Sequence, residues 1–250
     1  MCRIAAYIGP PRPLQDVIVT PPHSLLRQSQ AAAEAKLAYN GDGFGMAWYA
    51  GDAEPGHYRD VLPAWSDGNL PSLCRAIRAP VFVAHVRAAT AGETMRTNCH
   101  PFVHGRWSFV HNGRIANFDQ CRRRLEANLP EALYLARRGT TDSELFFLLM
   151  LVMGLDDDPL AAFWRAFEHV AALSSGVLRF AVVVSDGVRL WAFRASSDGR
   201  SPSLYLCRCF AGGGSVVASE PLGPGLGTWE PLDIRDGRMI SSTLQDTKAA

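Results

Sequence analysis

Apolar and β-branched runs predict strands at residues 3–8, 45–50, 81–86 and 107–111. Similar runs follow at 178–185, 189–194, 203–207, 215–218 and 230–234. The stretch RFAVVVSDGVRLWAF divides around Asp186-Gly187, a turn pair that predicts a hairpin. Elsewhere the apolar spacing is helical, over residues 24–38, 70–77, 119–128, 142–153 and 159–173. Gly139-Thr140-Thr141 precedes Asp142, Ser143 and Glu144, so a threonine cap and first-turn acids mark a helix start there. The most apolar segment, LFFLLMLVMGL, falls short of the roughly 20 residues a membrane helix needs and follows acids, which predicts a buried helix. Strands stand at both ends with helices between them, a layered α+β order and not a doubly wound parallel sheet.

Composition narrows the function classes. The chain has 250 residues, 48% of them hydrophobic and 20% charged, with a formal net charge of +1. That is enough chain for a sizeable core, and residues 1–250 read as a single domain with a frayed polar tail from about 242. Near-neutrality argues against nucleic-acid or membrane partners recognised through bulk charge. The first residues lack the basic and long apolar regions of a signal peptide, so the expected location is cytoplasmic, with reduced cysteines. The six cysteines (2, 74, 99, 121, 207, 209) show no CxxC pair, and Cys207 and Cys209 are expected on one face of a strand.

Several segments hold residue types that a core does not ask for. Cys2 directly follows Met1; it either fills an apolar strand or, once Met1 is removed, carries a thiol and a free α-amine together. Asn40-Gly41-Asp42-Gly43-Phe44-Gly45 is a glycine-dense turn, read as structural. Arg87 ends the strand at 81–86 with Thr90 just beyond, and a guidinium fork there fits a carboxylate of the protein or of a substrate. Asn112-Gly113 is either a hairpin turn or a pair of neutral donors for an oxyanion. Asp142, at a helix start, either caps the helix or receives an ammonium. Nucleophile, carboxylate binder, ammonium binder and oxyanion donors together suit an α-amino acid with a side-chain carbonyl.

Taken in order, MCRIAAYIG, NGDGFGMAWY, AHVRAAT, NCHPF, FVHNGRIANF, GTTDSE and VVASEPL resemble the successive motifs of class II glutamine amidotransferases, which are N-terminal-nucleophile hydrolases. The likeness runs from residue 2 to about 222 and on to a final strand pair near 229–240. It is greatest to stand-alone members, including the γ-glutamyl hydrolases of ergothioneine biosynthesis and glutathione breakdown. The resemblance implies a four-layer α/β/β/α sandwich with two central antiparallel sheets. It makes Cys2 the nucleophile, Asn112 and Gly113 the oxyanion hole, Arg87 with Thr90 the α-carboxylate site, and Asp142 the α-amine site. His100 and Pro101 match a structural turn, and Ala91 stands where some synthase-bearing members carry a histidine.

The resemblance implies a cysteine-dependent glutaminase or γ-glutamyl amidohydrolase working through a γ-glutamyl thioester, with no cofactor and no metal. Its partner is a small-molecule substrate, glutamine or a γ-glutamyl amide. Residues selecting the leaving group are expected before Ser24, around 41–44 and over 92–98. The alternatives are an ammonia-supplying subunit for a separate synthase, or a non-catalytic metal-binding or regulatory domain. For the metal reading, His85, Cys99, His100, His104 and His111 fall close together, though their spacing fits no standard ligand pattern.

Overall fold

The computed structural model describes residues 2–35, 39–89 and 93–241, with the backbone of a last short strand. In chain order the elements are β1 (Arg3–Pro13), α1 (Gln15–Ile18), α2 (Leu25–Gln30), β2 (Phe44–Tyr49), β3 (Gly56–Asp60), α3 (Leu70–Ala76), β4 (Arg78–Val86), β5 (Phe102–His104) and β6 (Trp107–Ile115). Four helices follow: α4 (Phe118–Glu126), α5 (Glu131–Ala136), α6 (Asp142–Val152) and α7 (Pro159–Leu173). The chain then returns to strands: β7 (Leu178–Ser185), β8 (Arg189–Ser196), β9 (Tyr205–Arg208), β10 (Ser215–Ala218), β11 (Thr228–Pro231), β12 (Asp236–Ser241) and β13 (Thr247–Lys248).

These strands make two antiparallel sheets, in the orders β11-β9-β10-β1-β4-β2-β3 and β13-β12-β8-β7-β6-β5. Alternation decides which side chains meet. From β1, Ile4, Ala6 and Ile8 point between the sheets with Val83, Val110, Ala181, Val183 and Ala192. Ala5 and Tyr7 point outward, onto a layer with buried residues of α1, α2 and α3. On the second sheet, Phe109, Phe180, Val182 and Phe193 pack against α4, α6 and α7. The result is the four-layer α/β/β/α sandwich expected from the motifs. Strands buried on both faces read as continuous apolar runs, which is why 178–185 is legible to the residue.

Helix α7 is equally legible, because Asp158 accepts from the Ala161 N–H at 3.1 Å and Pro159 takes the first position. Helix α6 is buried from Ser143 to Met150, packed against β6 and against α7, which also rests on the sheet. Among the described residues no helix is long and apolar enough to cross a membrane.

Some expectations give way to tertiary contacts. The helix expected over 24–38 ends at Gln30; its sequel 36–38 lies outside the described residues. Instead of continuing the helix, the Ala33 and Glu34 N–H groups donate to the Glu220 carboxylate at 3.0 and 2.9 Å. Asn112-Gly113 is not a turn: β6 runs through it, pairing Asn112 with Ala181 and Gly113 with Phe180. The final strands are not partners, since β11 joins the first sheet and β12 the second. Cys207 is buried on β9, whereas Cys209 lies beyond it at φ 54° and is exposed, so the two share no strand face.

Candidate active site

Cys2 enters the first sheet beside the end of β4, because Arg3 pairs with Val86. On the other side, the Ile4 N–H donates to Ser219 Oγ and the Ser219 N–H to the Ile4 carbonyl, both at 2.9 Å. This register leaves Cys2 Sγ 3.5 Å from the Ala88 nitrogen and 3.6 Å from the Ala88 carbonyl oxygen. Burial pushes the thiol above its ordinary pKa, and the contact with the Ala88 backbone only partly offsets that. A thiol in this position is protonated at neutral pH unless a base takes its proton.

Beside it, Arg87 leaves β4 under close backbone control. Its N–H donates to the Gly43 carbonyl at 2.8 Å, and its own carbonyl accepts from the Asp42 N–H at 3.0 Å. Asp42 Oδ2 takes the Ala89 N–H at 2.7 Å, and the guanidinium reaches the Asp42 carbonyl at 3.3 Å. The glycine-dense turn is therefore structural, as read, and it braces the strand exit. Gly43 has no substitute, because a Cβ would lie 2.5 Å from Cys99 Sγ at a φ of +112°.

From the second sheet, β6 brings Asn112 and Gly113. A Cβ on Gly113 would lie 1.9 Å from the Arg179 carbonyl oxygen, so this position tolerates only glycine. Asn112 is fully buried, two residues past Val110 and on the same inter-sheet face. Among the described residues, neither polar atom of its side chain has a hydrogen-bond partner. Asp142 opens α6 without capping it, since Thr141 Oγ1 accepts from the Glu144 N–H. Its carboxylate takes the Ile115 N–H at 2.7 Å, and the Ser143 hydroxyl lies 3.2 Å away.

One small cavity is lined by Cys2, Arg87, Ala88, Ala89, His100, His111, Gly113, Thr141, Asp142 and Ser143. Four of the expected site residues therefore share a wall, drawn from both sheets and a helix start. Asn112 adjoins them on β6 without lining the cavity, and Thr90 lies outside the described residues, as do Met1 and Ala91.

Other residues that hold the site were not singled out from the sequence. Asn98 Oδ1 takes the Thr140 N–H at 2.8 Å, and Glu144 takes the Arg138 and Gly139 N–H groups at 2.9 and 2.6 Å. Together they fix the loop that delivers Asp142. The buried Glu220 meets Arg3 at 3.1 Å and His23 at 2.6 Å. Burial alone would raise its carboxyl pKa; the His23 bond, the two loop N–H groups and the Arg3 charge outweigh that and hold it below the usual range. Glu220→Gln leaves the fully buried Arg3 unpaired beside Cys2, with an expected loss of about 3–5 kcal/mol in denaturant unfolding. Because the native carboxyl is depressed, its contribution is present above the unfolded-state pKa and fades as pH falls through the folded value. The variant should thus lose the least stability, relative to the parent, in acid.

The histidines do not gather around a metal. His85 stacks on His100, while His111 Nδ1 lies 2.8 Å from Ser143 Oγ. Among the described residues no three histidine, cysteine or acidic side chains form a metal-holding group. Burial pushes His85 down to about 3 and also lowers His111, against the pull of Asp142. The lowering favours the neutral form of both imidazoles.

Comparison with known proteins identifies the family and the fold. The family model for glutamine amidotransferases class-II matches residues 20–208. The probable glutamine amidotransferase DUG3 of Saccharomyces cerevisiae is 36% identical over 233 residues, 88% of this chain and 63% of that protein. The chain thus spans less than two thirds of that relative. It covers all of the gamma-glutamyl-hercynylcysteine sulfoxide hydrolase of Mycolicibacterium smegmatis, at 29% identity over 98% of its own length. A solved glutamine aminotransferase class-II domain protein from Silicibacter pomeroyi superposes with a TM-score of 0.77 at 35% identity, covering 99% of this chain and 98% of that one. With the family model matching most of its length, this chain belongs to the class II glutamine amidotransferases, a family of amidohydrolase enzymes.

Proposed function

We propose that this protein hydrolyses the γ-amide of glutamine or of a γ-glutamyl conjugate, with Cys2 as nucleophile. The observation that carries the reading is the shared cavity of Cys2, Arg87, Gly113 and Asp142. Removal of Met1 exposes the α-amine of Cys2, whose reference pKa of about 7.7–8.0 suits it to take the thiol proton near neutrality. That base answers the burial that raises the thiol. The thiolate then bonds to the γ-carbon, and the carbonyl electron pair moves to oxygen, where Asn112 Nδ2 and the Gly113 N–H donate to it. Collapse breaks the C–N bond, and the leaving amine takes the proton from the α-ammonium. Water then attacks the thioester, and glutamate leaves with the thiol restored.

Arg87 and Asp142 hold the α-carboxylate and α-ammonium of the glutamyl group, with Thr90 as a further carboxylate contact. Similarity to the whole length of a γ-glutamyl hydrolase favours free-standing hydrolysis over ammonia supply to a synthase. We include in the same proposal a single catalytic domain over residues 1–250 and a cytoplasmic location, which the six free cysteines support.

An assay of the purified protein on glutamine and a panel of γ-glutamyl amides tests the reading, alongside intact-mass measurement for loss of Met1. A good rate without any added protein is expected; no turnover on any γ-glutamyl amide would sink it. Arg87→Lys should lower kcat/KM by about 10–100-fold, chiefly through KM, because a point charge cannot replace the bidentate fork. An unchanged specificity constant would remove Arg87 from the carboxylate site.

A further inference from the structure

His100 lines the Cys2 cavity, is only 4% exposed and, among the described residues, has no hydrogen-bond partner for either ring nitrogen. Its ring is held between His85, at a centroid distance of 4.1 Å, and Phe102, at 4.5 Å. His85 is itself fixed, with Nε2 3.1 Å from the His111 carbonyl oxygen. The His100 imidazole therefore cannot turn to solvent to satisfy its nitrogens. A buried polar group left unmet carries its full desolvation penalty, and in a native structure it calls for a partner.

Position selects which partner. His111, the other imidazole on the cavity wall, reaches Asp142 through Ser143, whose hydroxyl lies 2.8 Å from its Nδ1 and 3.2 Å from the Asp142 carboxylate. His100 instead stacks on His85, two residues before Arg87 on the same face of the strand. Burial and the nearby His85, His111, Arg87 and Arg59 hold the His100 pKa well below the usual range. His100 thus stands against the strand that delivers Arg87, and His111 against the helix start that delivers Asp142. A carboxylate has about four lone-pair sites, so a guanidinium fork leaves room for another donor.

We propose that His100 is a substrate-binding residue whose ring N–H donates to the same α-carboxylate that Arg87 engages. This rests on the γ-glutamyl reading above and adds a residue that the motif match treated as a structural turn. A neutral donor adds a directed bond to the carboxylate without a second cation beside Arg87.

The test compares L-glutamine with its α-carboxamide as substrates for the wild type, His100→Phe and His100→Gln. Phenylalanine keeps the ring between His85 and Phe102 but has no donor; glutamine restores one. A bond to an ionised acceptor outweighs one to a neutral amide. His100→Phe should therefore raise KM for L-glutamine about tenfold with kcat within about twofold, and KM for the α-carboxamide less than about threefold. His100→Gln should recover most of the loss. Equal losses on the two substrates, or a fall in kcat at unchanged KM, would overturn the assignment. Calorimetry of L-glutamate binding to Cys2→Ala, with and without His100→Phe, separates this from the reaction itself. If the wild type turns over no γ-glutamyl amide, the proposed reaction fails, yet about tenfold weaker glutamate binding still supports the carboxylate contact. Unchanged glutamate binding overturns it.

Discussion

Cys2→Ala is expected to lower γ-glutamyl amide hydrolysis by about 10⁴-fold or more while the protein keeps its fold. The side chain is half-buried at the strand entrance, and its contacts are both to the Ala88 backbone, so little packing goes with it. The α-amine survives in this variant, which makes the loss a direct measure of the thiol. Cys2→Ser keeps the amine, replaces the thiol by a hydroxyl and should remain far below the parent, because an alcohol ionises much less readily than a thiol. The pH dependence has a definite sign in the parent. With the α-amine as base, kcat/KM should rise as pH climbs through about 7–8, where that group loses its proton. Stability runs the other way. The thiol's folded pKa is raised, so its contribution is fully present below the unfolded value of about 8.5 and is lost as pH rises through the folded one. Melting temperatures measured from pH 7 to 10 should therefore fall less steeply for Cys2→Ala than for the parent. Retained turnover in the alanine variant would dismiss the nucleophile assignment outright.

What was legible in the chain depended on how local the cause was. Helix α7 has its cap, its proline and its apolar stripe within one segment, and its limits are readable to the residue. Cys2, Arg87 and Asp142 could be singled out as candidates because each stands where an element starts or stops, but the residues alone left each with a structural alternative, and the ordered motifs supplied the roles. Asn112-Gly113 shows the limit. Locally it is a hairpin turn pair; it becomes strand only because β7, more than sixty residues later, pairs through it. The same holds for residues 31–35, where helical spacing yields to a carboxylate at Glu220. Glu220 and Asn98 left no periodic signal at all. Each acts through hydrogen bonds to distant backbone, and neither a moment nor a spacing records that.

Asn112→Leu should separate stability from activity in opposite directions. The asparagine amide sits fully buried in the inter-sheet layer, and among the described residues both its polar atoms are unpaired. Each unmet group of this kind costs about 1–3 kcal/mol. Leucine has the same heavy-atom branching and no polar atoms, and its neighbours in that layer include Val110, Ile4 and Ala181. Removing the penalty should stabilise the protein by about 1–2 kcal/mol after some loss to its larger volume, a rise in melting temperature of about 2–8 °C. Activity should fall by about 10²–10³-fold in kcat, the usual cost of losing one oxyanion donor, with KM little changed. The Gly113 N–H remains and limits the damage to that range. Paired thermal melts and steady-state kinetics read both quantities from one preparation. A variant that melts lower yet keeps its kcat would make Asn112 a strand-packing residue and leave the oxyanion to other donors.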